Sequence, residues 1–250
     1  MNDARPLARE YLAQQRALGG DAVILPPEPS VPVAAPGPDA APGEALPPPG
    51  ISYDPPSGDL FSNDPVPRAP TLVAIAELVA ECTRCRLCEG RTRTVPGEGA
   101  EKARLVVIGE GPGQTEDETG RPFVGRAGEL LTKILAAIDL PREAVFICNI
   151  VKCRPPGNRT PQYDEVAACI PYLHRQIDLI QPKVILAMGA TAAQSLLNTK
   201  QALGALRDRL HRFRGLPVIV TYHPAALLRN PNWKKPTWDD VRIARRLLDS

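Results

Sequence analysis

RLVVIGEGPG (residues 104–113) is a short apolar run that breaks into glycines. A run of this length without polar alternation is the pattern of a strand buried on both faces, as in a parallel sheet. Three more runs of the same kind follow it: AVFICNIV (144–151), KVILAMG (183–189) and LPVIVTYH (216–223). Between and around them lie segments with helical spacing: LVAIAELVAEC (72–82), AGELLTKILAAI (127–138), PQYDEVAACIPYLHRQIDLI (161–180), TAAQSLLNT (191–199) and DDVRIARRLLDS (239–250). The third helix is expected to start at Pro161, since proline suits a first helical position. Strands alternating with helices predict a three-layer α/β/α fold with a central four-stranded parallel sheet. In such sheets ligands bind beyond the carboxyl ends of the strands. Four loops leave those ends, at 109–124, 149–161, 189–191 and 223–236, and they hold nearly all the unusual residues of the chain.

Outside this body the composition changes. Of 29 prolines among 250 residues, 16 lie in residues 1–70. The same stretch holds four Arg, no Lys and nine acidic residues, a net −5, which leaves +7 for the remainder of a chain whose total is +2. Residues 22–70 have too few large apolar side chains to offset the entropy of ordering them. The expected division is therefore a disordered, acidic, Pro-rich arm over 1–70, with one short helix at 8–18, and a folded domain over 71–250. The arm reads as a spacer; a docking segment for a protein partner, with the 8–18 helix as its contact, is the alternative. No apolar run approaches the roughly 20 residues of a membrane helix. The first 20 residues lack the apolar core of a secretory signal. Six cysteines without an export signal point to a reducing compartment, the cytoplasm, where metal or cluster binding outranks disulfides.

Four constellations carry chemistry. In GEGPG (109–113) glycines let backbone N–H groups approach a ligand. A dinucleotide fingerprint fails here, because position 114 is Gln and Pro112 interrupts the turn. The continuation GRPFVGRAG (120–128) makes the loop longer than a turn needs. Cys82 and Cys85 form a C-x2-C pair, and Cys153 and Cys169 follow far along the chain; the four can close a site for zinc or for an iron–sulfur cluster. Cys88 extends the first run, but a ferredoxin pattern then needs a cysteine where Thr92 stands, and Cys148 reads as a small core residue. In YHPAALLRNP (222–231), His223 ends a strand and is fixed by Pro224, which suits a donor to a developing anion. Leu227 and Leu228 beside Arg229 suit either the core or a wedge into a base stack. Basic residues flank these sites: Arg84, Arg86, Arg91 and Arg93, then Lys152, Arg154 and Arg159, with another cluster at 207–214 that reads equally as a solvated face. Phosphate contact is their natural use.

Taken together, CTRCRLCEGRT (82–92), GEGPGQTEDETGRPFVGRAG (109–128), NIVKCRPPGNR (149–159), Cys169 and HPAALLRNP (223–231) resemble the family 4, iron–sulfur uracil-DNA glycosylases. The resemblance covers about 72–250 and leaves out the arm. It implies a [4Fe–4S] cluster on Cys82, Cys85, Cys153 and Cys169, with Cys88 and Cys148 matching no ligand. It implies a uracil pocket lined by Glu110, Gly111 and Gly113, with Phe123 stacking on the flipped base, Asn149 pairing with its edge and His223 near its O2. Leu227, Leu228, Arg229 and Arg154 are then the DNA contacts. The implied protein is a monomer at the nucleoid.

The chemistry is consistent with these residue types. The side chain of Asn149 can donate to uracil O4 and accept from N3–H, whereas cytosine presents the opposite pattern, so an amide held in place discriminates. Glycosidic cleavage leaves negative charge on the base and positive charge on the sugar. His223 and the backbone N–H groups of 110–113 would stabilise the first. Glu110 is the first candidate for orienting water or stabilising the sugar, with Glu116 and Asp117 in reserve; Glu116 is also a candidate for excluding thymine. Two other readings stay open at this point: a non-catalytic nucleic-acid-binding protein on the same scaffold, and a zinc-dependent nucleotide hydrolase.

Overall fold

The computed structural model describes residues 46–56 and 63–250. Along them run β1 (Pro49–Tyr53), α1 (Leu72–Ala80), α2 (Leu87–Gly90), β2 (Glu98–Gly99), β3 (Leu105–Gly109), α3 (Gln114–Thr119), α4 (Arg126–Ala136), β4 (Phe146–Asn149), α5 (Tyr163–Ile180), β5 (Val184–Met188), α6 (Ala190–Leu196), α7 (Leu203–Leu206), β6 (Leu210–Phe213), β7 (Leu216–Thr221), α8 (Pro224–Arg229) and α9 (Lys234–Asp249). The helix expected at 8–18 lies outside the described residues.

The four apolar runs form the centre of the sheet, as expected. Its strand order is β1-β6-β7-β5-β3-β4-β2, and β7, β5, β3 and β4 are all parallel. Alternation along these strands builds two cores. Val106, Ile108, Ile185, Ala187, Val218 and Val220 face one side, where Ile75 of α1, Leu173 and Ile177 of α5 and Ala193 of α6 cover them. Leu105, Val107, Val184, Leu186 and Ile219 face the other, covered by Leu131 and Leu135 of α4 and Val241 and Ala244 of α9. Strands sealed on both faces read as unbroken apolar runs, which is why the sequence betrays them.

The sheet has seven strands rather than four. The three additions lie toward its edges and have no apolar run to announce them. β2 is two residues long and antiparallel to β4. β6 is antiparallel to β7, and β1 is parallel to β6. β1 overturns the expectation of disorder across 22–70: the segment PGISY is a strand, and Leu46–Ser250 forms one compact unit. Proline is tolerated there because β1 is an edge strand. Leu210 N–H donates to the Pro48 carbonyl at 2.9 Å and Arg214 N–H to that of Tyr53 at 3.0 Å. Ile51 N–H donates to Nδ1 of the fully buried His211 at 2.9 Å. A Cβ on Gly50 would lie 2.5 Å from that ring, so only glycine admits this approach.

Two helix starts also differ. α5 begins at Tyr163, two residues after Pro161, because Glu165 reaches back to accept from Gln162 N–H at 2.7 Å. α9 begins at Lys234 rather than 239; Pro236 falls in its first turn, where no intrahelical donor is lost.

Candidate active site and cysteine cavity

All four loops at the carboxyl ends of the central strands meet around one open cavity of about 630 Å³. Glu110, Gly111, Gly113 and Phe123 come from the first loop, Asn149 from the end of β4, Gly189 and Thr191 from the third loop, and His223 and Arg229 from the fourth. The pocket residues expected from the sequence therefore converge.

Their geometry is set from below by Gly109. A Cβ there would lie 2.4 Å from Asn149 Oδ1 and 2.5 Å from Phe123 Cζ. Asn149 is 1% exposed, and its Oδ1 has no hydrogen-bond partner. A buried acceptor left unpaired is costly, and in a cavity wall it points to a ligand donor. Phe123 adopts φ 51°, and its carbonyl accepts from Arg142 Nη1 at 3.0 Å. Its ring lies 5.4 Å from that of His223 at 30°. Gly189, at φ 96°, approaches the other side: a Cβ on it would sit 3.2 Å from His223 Cβ.

His223 Nδ1 accepts from Ala225 N–H at 3.2 Å. That bond assigns the proton of the neutral ring to Nε2 and makes Nε2 the donor. Burial, aided by the charge of Arg229 and opposed by Glu116, lowers its pKa to about 4, so the ring is neutral near pH 7. Thr191 Oγ1 donates to Oε2 of Glu110, holding the carboxylate in the cavity wall.

The two reserve carboxylates have other duties. Glu116 Oε1 accepts from Val124 N–H and Gly125 N–H, both at 2.9 Å, and its Oε2 accepts from Gly113 N–H at 3.2 Å. It closes the pocket loop and is not free to orient water. The same bond occupies the N–H of Gly113, so that group is unavailable to a leaving anion although Gly113 lines the cavity. Asp117 is 2% exposed and accepts from Thr92 N–H at 2.9 Å, away from the cavity.

Two basic or apolar expectations also change. Leu227 is 1% exposed, because helical spacing in α8 turns it inward and leaves Leu228 outward at 41%; Leu227 is core, not a DNA contact. Lys152 is buried and cannot reach a phosphate: its Nζ donates to the Asn149 carbonyl at 2.9 Å and to Gln176 Oε1 at 2.7 Å. Burial lowers its pKa. In the 207–214 cluster Arg207 pairs with Asp240 and Arg214 with Asp178, so part of that charge is structural. Arg229 is exposed, and Arg154 is partly exposed with Nε on Asn158 Oδ1 at 2.8 Å.

The second constellation lies on the face of the sheet covered by α1 and α5. Cys82, Cys85, Cys88, Cys153 and Cys169 line one cavity with Arg91 and Lys152. Arg91 Nη1 donates to Cys153 Sγ at 3.4 Å and to the Cys82 carbonyl at 2.7 Å, and Lys152 N–H donates to Cys169 Sγ at 3.2 Å. N–H donors aimed at sulfur are a known means of tuning thiolate clusters. Burial pushes the thiols of Cys85, Cys153 and Cys169 up, the last to about 12, so ionising them requires a cation. Among the described residues no three His, Cys, Asp or Glu side chains converge on a point that one ion could occupy. Cys148 is fully buried in the core next to β3, as expected.

Comparison with known proteins decides the family. A model of the Uracil DNA glycosylase superfamily matches residues 96–243, more than half of the chain. The chain belongs to this superfamily. Within it the type-4 uracil-DNA glycosylases are the matching group. That of Thermotoga maritima is 48% identical over 178 residues, covering 70% of this chain and 93% of the relative. That of Sulfurisphaera tokodaii is 44% identical over 186 residues, covering 71% and 84%. A type-5 uracil-DNA glycosylase of Thermus thermophilus is more distant, at 32% over 189 residues. The superfamily match contains every wall of the cavity named above and two of the four expected cluster cysteines, Cys153 and Cys169.

Two contributors had no clear signal in the sequence, and a third acts by other means than its motif suggests. Thr191 is the carboxylate's hydrogen-bond donor, and its position after a strand-ending glycine was the only hint. Arg142 holds the Phe123 loop from outside the motifs. Gly109 matters for the space above it rather than for its backbone angles.

Proposed function

We propose that this chain is a monofunctional uracil-DNA glycosylase, which takes up a deoxyuridine flipped out of DNA, hydrolyses its N-glycosidic bond and leaves an abasic site. The observation that carries this reading is the meeting, in one cavity, of an unpartnered buried Asn149 Oδ1, the Phe123 ring and a neutral His223 whose Nε2 carries the proton. Extruding the base costs a few kcal/mol, and a stacking face and a satisfied amide offset it. Asn149 Oδ1 accepts from uracil N3–H while its amide nitrogen donates to O4. Cytosine, with a bare N3, would leave that oxygen unpaired.

As the glycosidic bond breaks, negative charge spreads over the base, and the Nε2–H of His223 donates to O2. A neutral donor fits this role, since it need not give up its proton to stabilise the anion. Glu110, held by Thr191, faces the sugar, stabilises its positive charge and orients the attacking water.

Cys82, Cys85, Cys153 and Cys169 would hold a [4Fe–4S] cluster, with Cys88 beside it and not ligating. Hydrolysis moves no electrons; the cluster's bound iron ions would neutralise the thiolates and tie α1 to the segment between β4 and α5. DNA would be met by Leu228, Arg229 and Arg154 on the basic body, with the protein acting as a monomer in the cytoplasm. No described helix is long and apolar enough to cross a membrane. The acidic arm read from the sequence over 1–70 is proposed as a spacer where it precedes β1, with a protein partner as the alternative.

The test is incubation with a uracil-containing oligonucleotide followed by alkali. Strand cleavage at uracil is expected. No cleavage above that of a thymine control would overturn the assignment.

A further inference from the structure

Outside the pocket, the mouth of the cavity holds an arrangement that the uracil chemistry does not use. Trp233 lies on the lining and is 36% exposed. Its indole stacks on Tyr222 with ring centroids 4.7 Å apart and planes 4° apart. Arg207 lies over the same Tyr222 ring, its guanidinium carbon 4.6 Å from the centroid. Two groups this close to one ring occupy opposite faces, so Tyr222 is sandwiched. Arg207 is itself fixed: it is 9% exposed and binds both oxygens of Asp240 at 2.9 and 3.0 Å. The column starts at a buried ion pair and ends at an exposed indole. The backbone locks that end as well, because Thr237 Oγ1 donates to the Trp233 carbonyl at 2.8 Å.

A large indole exposed on a rigid support calls for a flat partner. The charge around it names the partner: Arg229 and Lys234 are exposed on either side of Trp233 in the chain. A flat ring beside phosphates is a nucleobase on its strand. We propose that Trp233 is a stacking platform for an unpaired nucleobase adjacent to the flipped uracil. This rests on the glycosylase reading and deepens it, because it favours single-stranded or locally opened DNA, whose neighbouring bases are free to stack. Base–aromatic stacking is tolerant of sequence, so no base preference is expected, and its loss weakens binding by about tenfold.

The chain has two tryptophans, Trp233 and Trp238. A Trp238→Phe protein therefore reports from Trp233 alone. It is titrated with a single-stranded oligonucleotide that carries a stable abasic analogue, the product shape, while the anisotropy of a dye on the DNA follows binding. Saturable quenching of Trp233 emission is expected. Trp233→Leu should raise Kd for this DNA about tenfold, and that difference should vanish on an oligonucleotide whose bases on both sides of the analogue are also removed. Binding without quenching overturns the proposal, as does a Trp233→Leu effect that persists on the base-stripped DNA, since that would be a structural or charge effect. Uracil release by the Trp238→Phe protein is measured in parallel. If it continues while quenching fails, the platform is wrong and the glycosylase reading stands; if neither release nor DNA binding occurs in the wild type, both fall.

Discussion

Gly109→Ala adds one methyl group at the end of β3. Its φ is not in the left-handed region, so the backbone accepts alanine and the whole effect is one of space. The new Cβ would lie 2.4 Å from Asn149 Oδ1 and 2.5 Å from Phe123 Cζ. Ordinary van der Waals contact begins about 1 Å further out, so both groups must retreat by roughly that distance. They are 1% and 5% exposed, so the space open to them is the base cavity itself, and a retreat into it misplaces both groups. Overpacking of this kind costs about 1–3 kcal/mol of stability, and a misplacement of about 1 Å at reacting groups costs about 100-fold in rate. The two effects separate in the measurements. Urea unfolding should show the smaller loss, leaving the protein folded at 25 °C, while single-turnover excision from a saturating uracil oligonucleotide should slow about 100-fold. Gly204→Ala is the control: nothing lies within 4 Å of its Cβ, and it should be neutral or stabilising by about 0.4–1 kcal/mol. Full excision rate in Gly109→Ala would refute the reasoning, because Asn149 and Phe123 would then not be held where the chemistry needs them.

His223→Ala should lower the excision rate far more than DNA affinity; equal losses in single-turnover and binding assays would contradict its action on the leaving base. With its pKa lowered to about 4, wild-type excision should show no inflection at the usual histidine value near 6.5, and one there would contradict the neutral ring. His174, half-buried against Phe213 and also lowered to about 4, acts on stability: the unfolded chain binds its proton first, so Tm should hold above pH 6.5 and fall as pH drops from there toward 4, and His174→Gln should flatten that slope. Cys153→Ala should lose iron, folded yield and DNA binding together, whereas Cys88→Ser should keep its iron and colour; a soluble, active, iron-free Cys153→Ala protein would sink the ligand assignment. Truncation through residue 56 removes β1 and its hydrogen bonds to β6 and its flanks and should lower Tm, at a cost of about 1 kcal/mol for each bond lost.

The centre of this fold was legible because burial on both faces leaves a signature in a single strand. Leu105–Gly109 and Val184–Met188 are buried at every residue, and nothing but apolar side chains fits there. The edges were not legible for the converse reason. β1 is specified by a partner 160 residues away, through the Ile51–His211 bond, and its prolines resemble those of a linker. The pocket divides along the same line. Phe123, Asn149 and His223 were readable because each ends a strand or sits in an overlong loop. The division of labour among Glu110, Glu116 and Asp117 was not, because it depends on which backbone N–H groups or hydroxyl each carboxylate meets in three dimensions.

The bond from Thr92 to Asp117 joins two parts of the molecule that the sequence keeps 25 residues apart. Thr92 follows the turn that carries Cys82, Cys85 and Cys88, and Asp117 sits in α3, the helix that Glu116 ties to the pocket loop. Asp117 is buried, so a shift of the cysteine turn that broke this 2.9 Å bond would leave the carboxylate without that donor and disfavour the present position of α3. The cysteine turn and the wall of the base cavity are thereby energetically linked, although they lie on different loops.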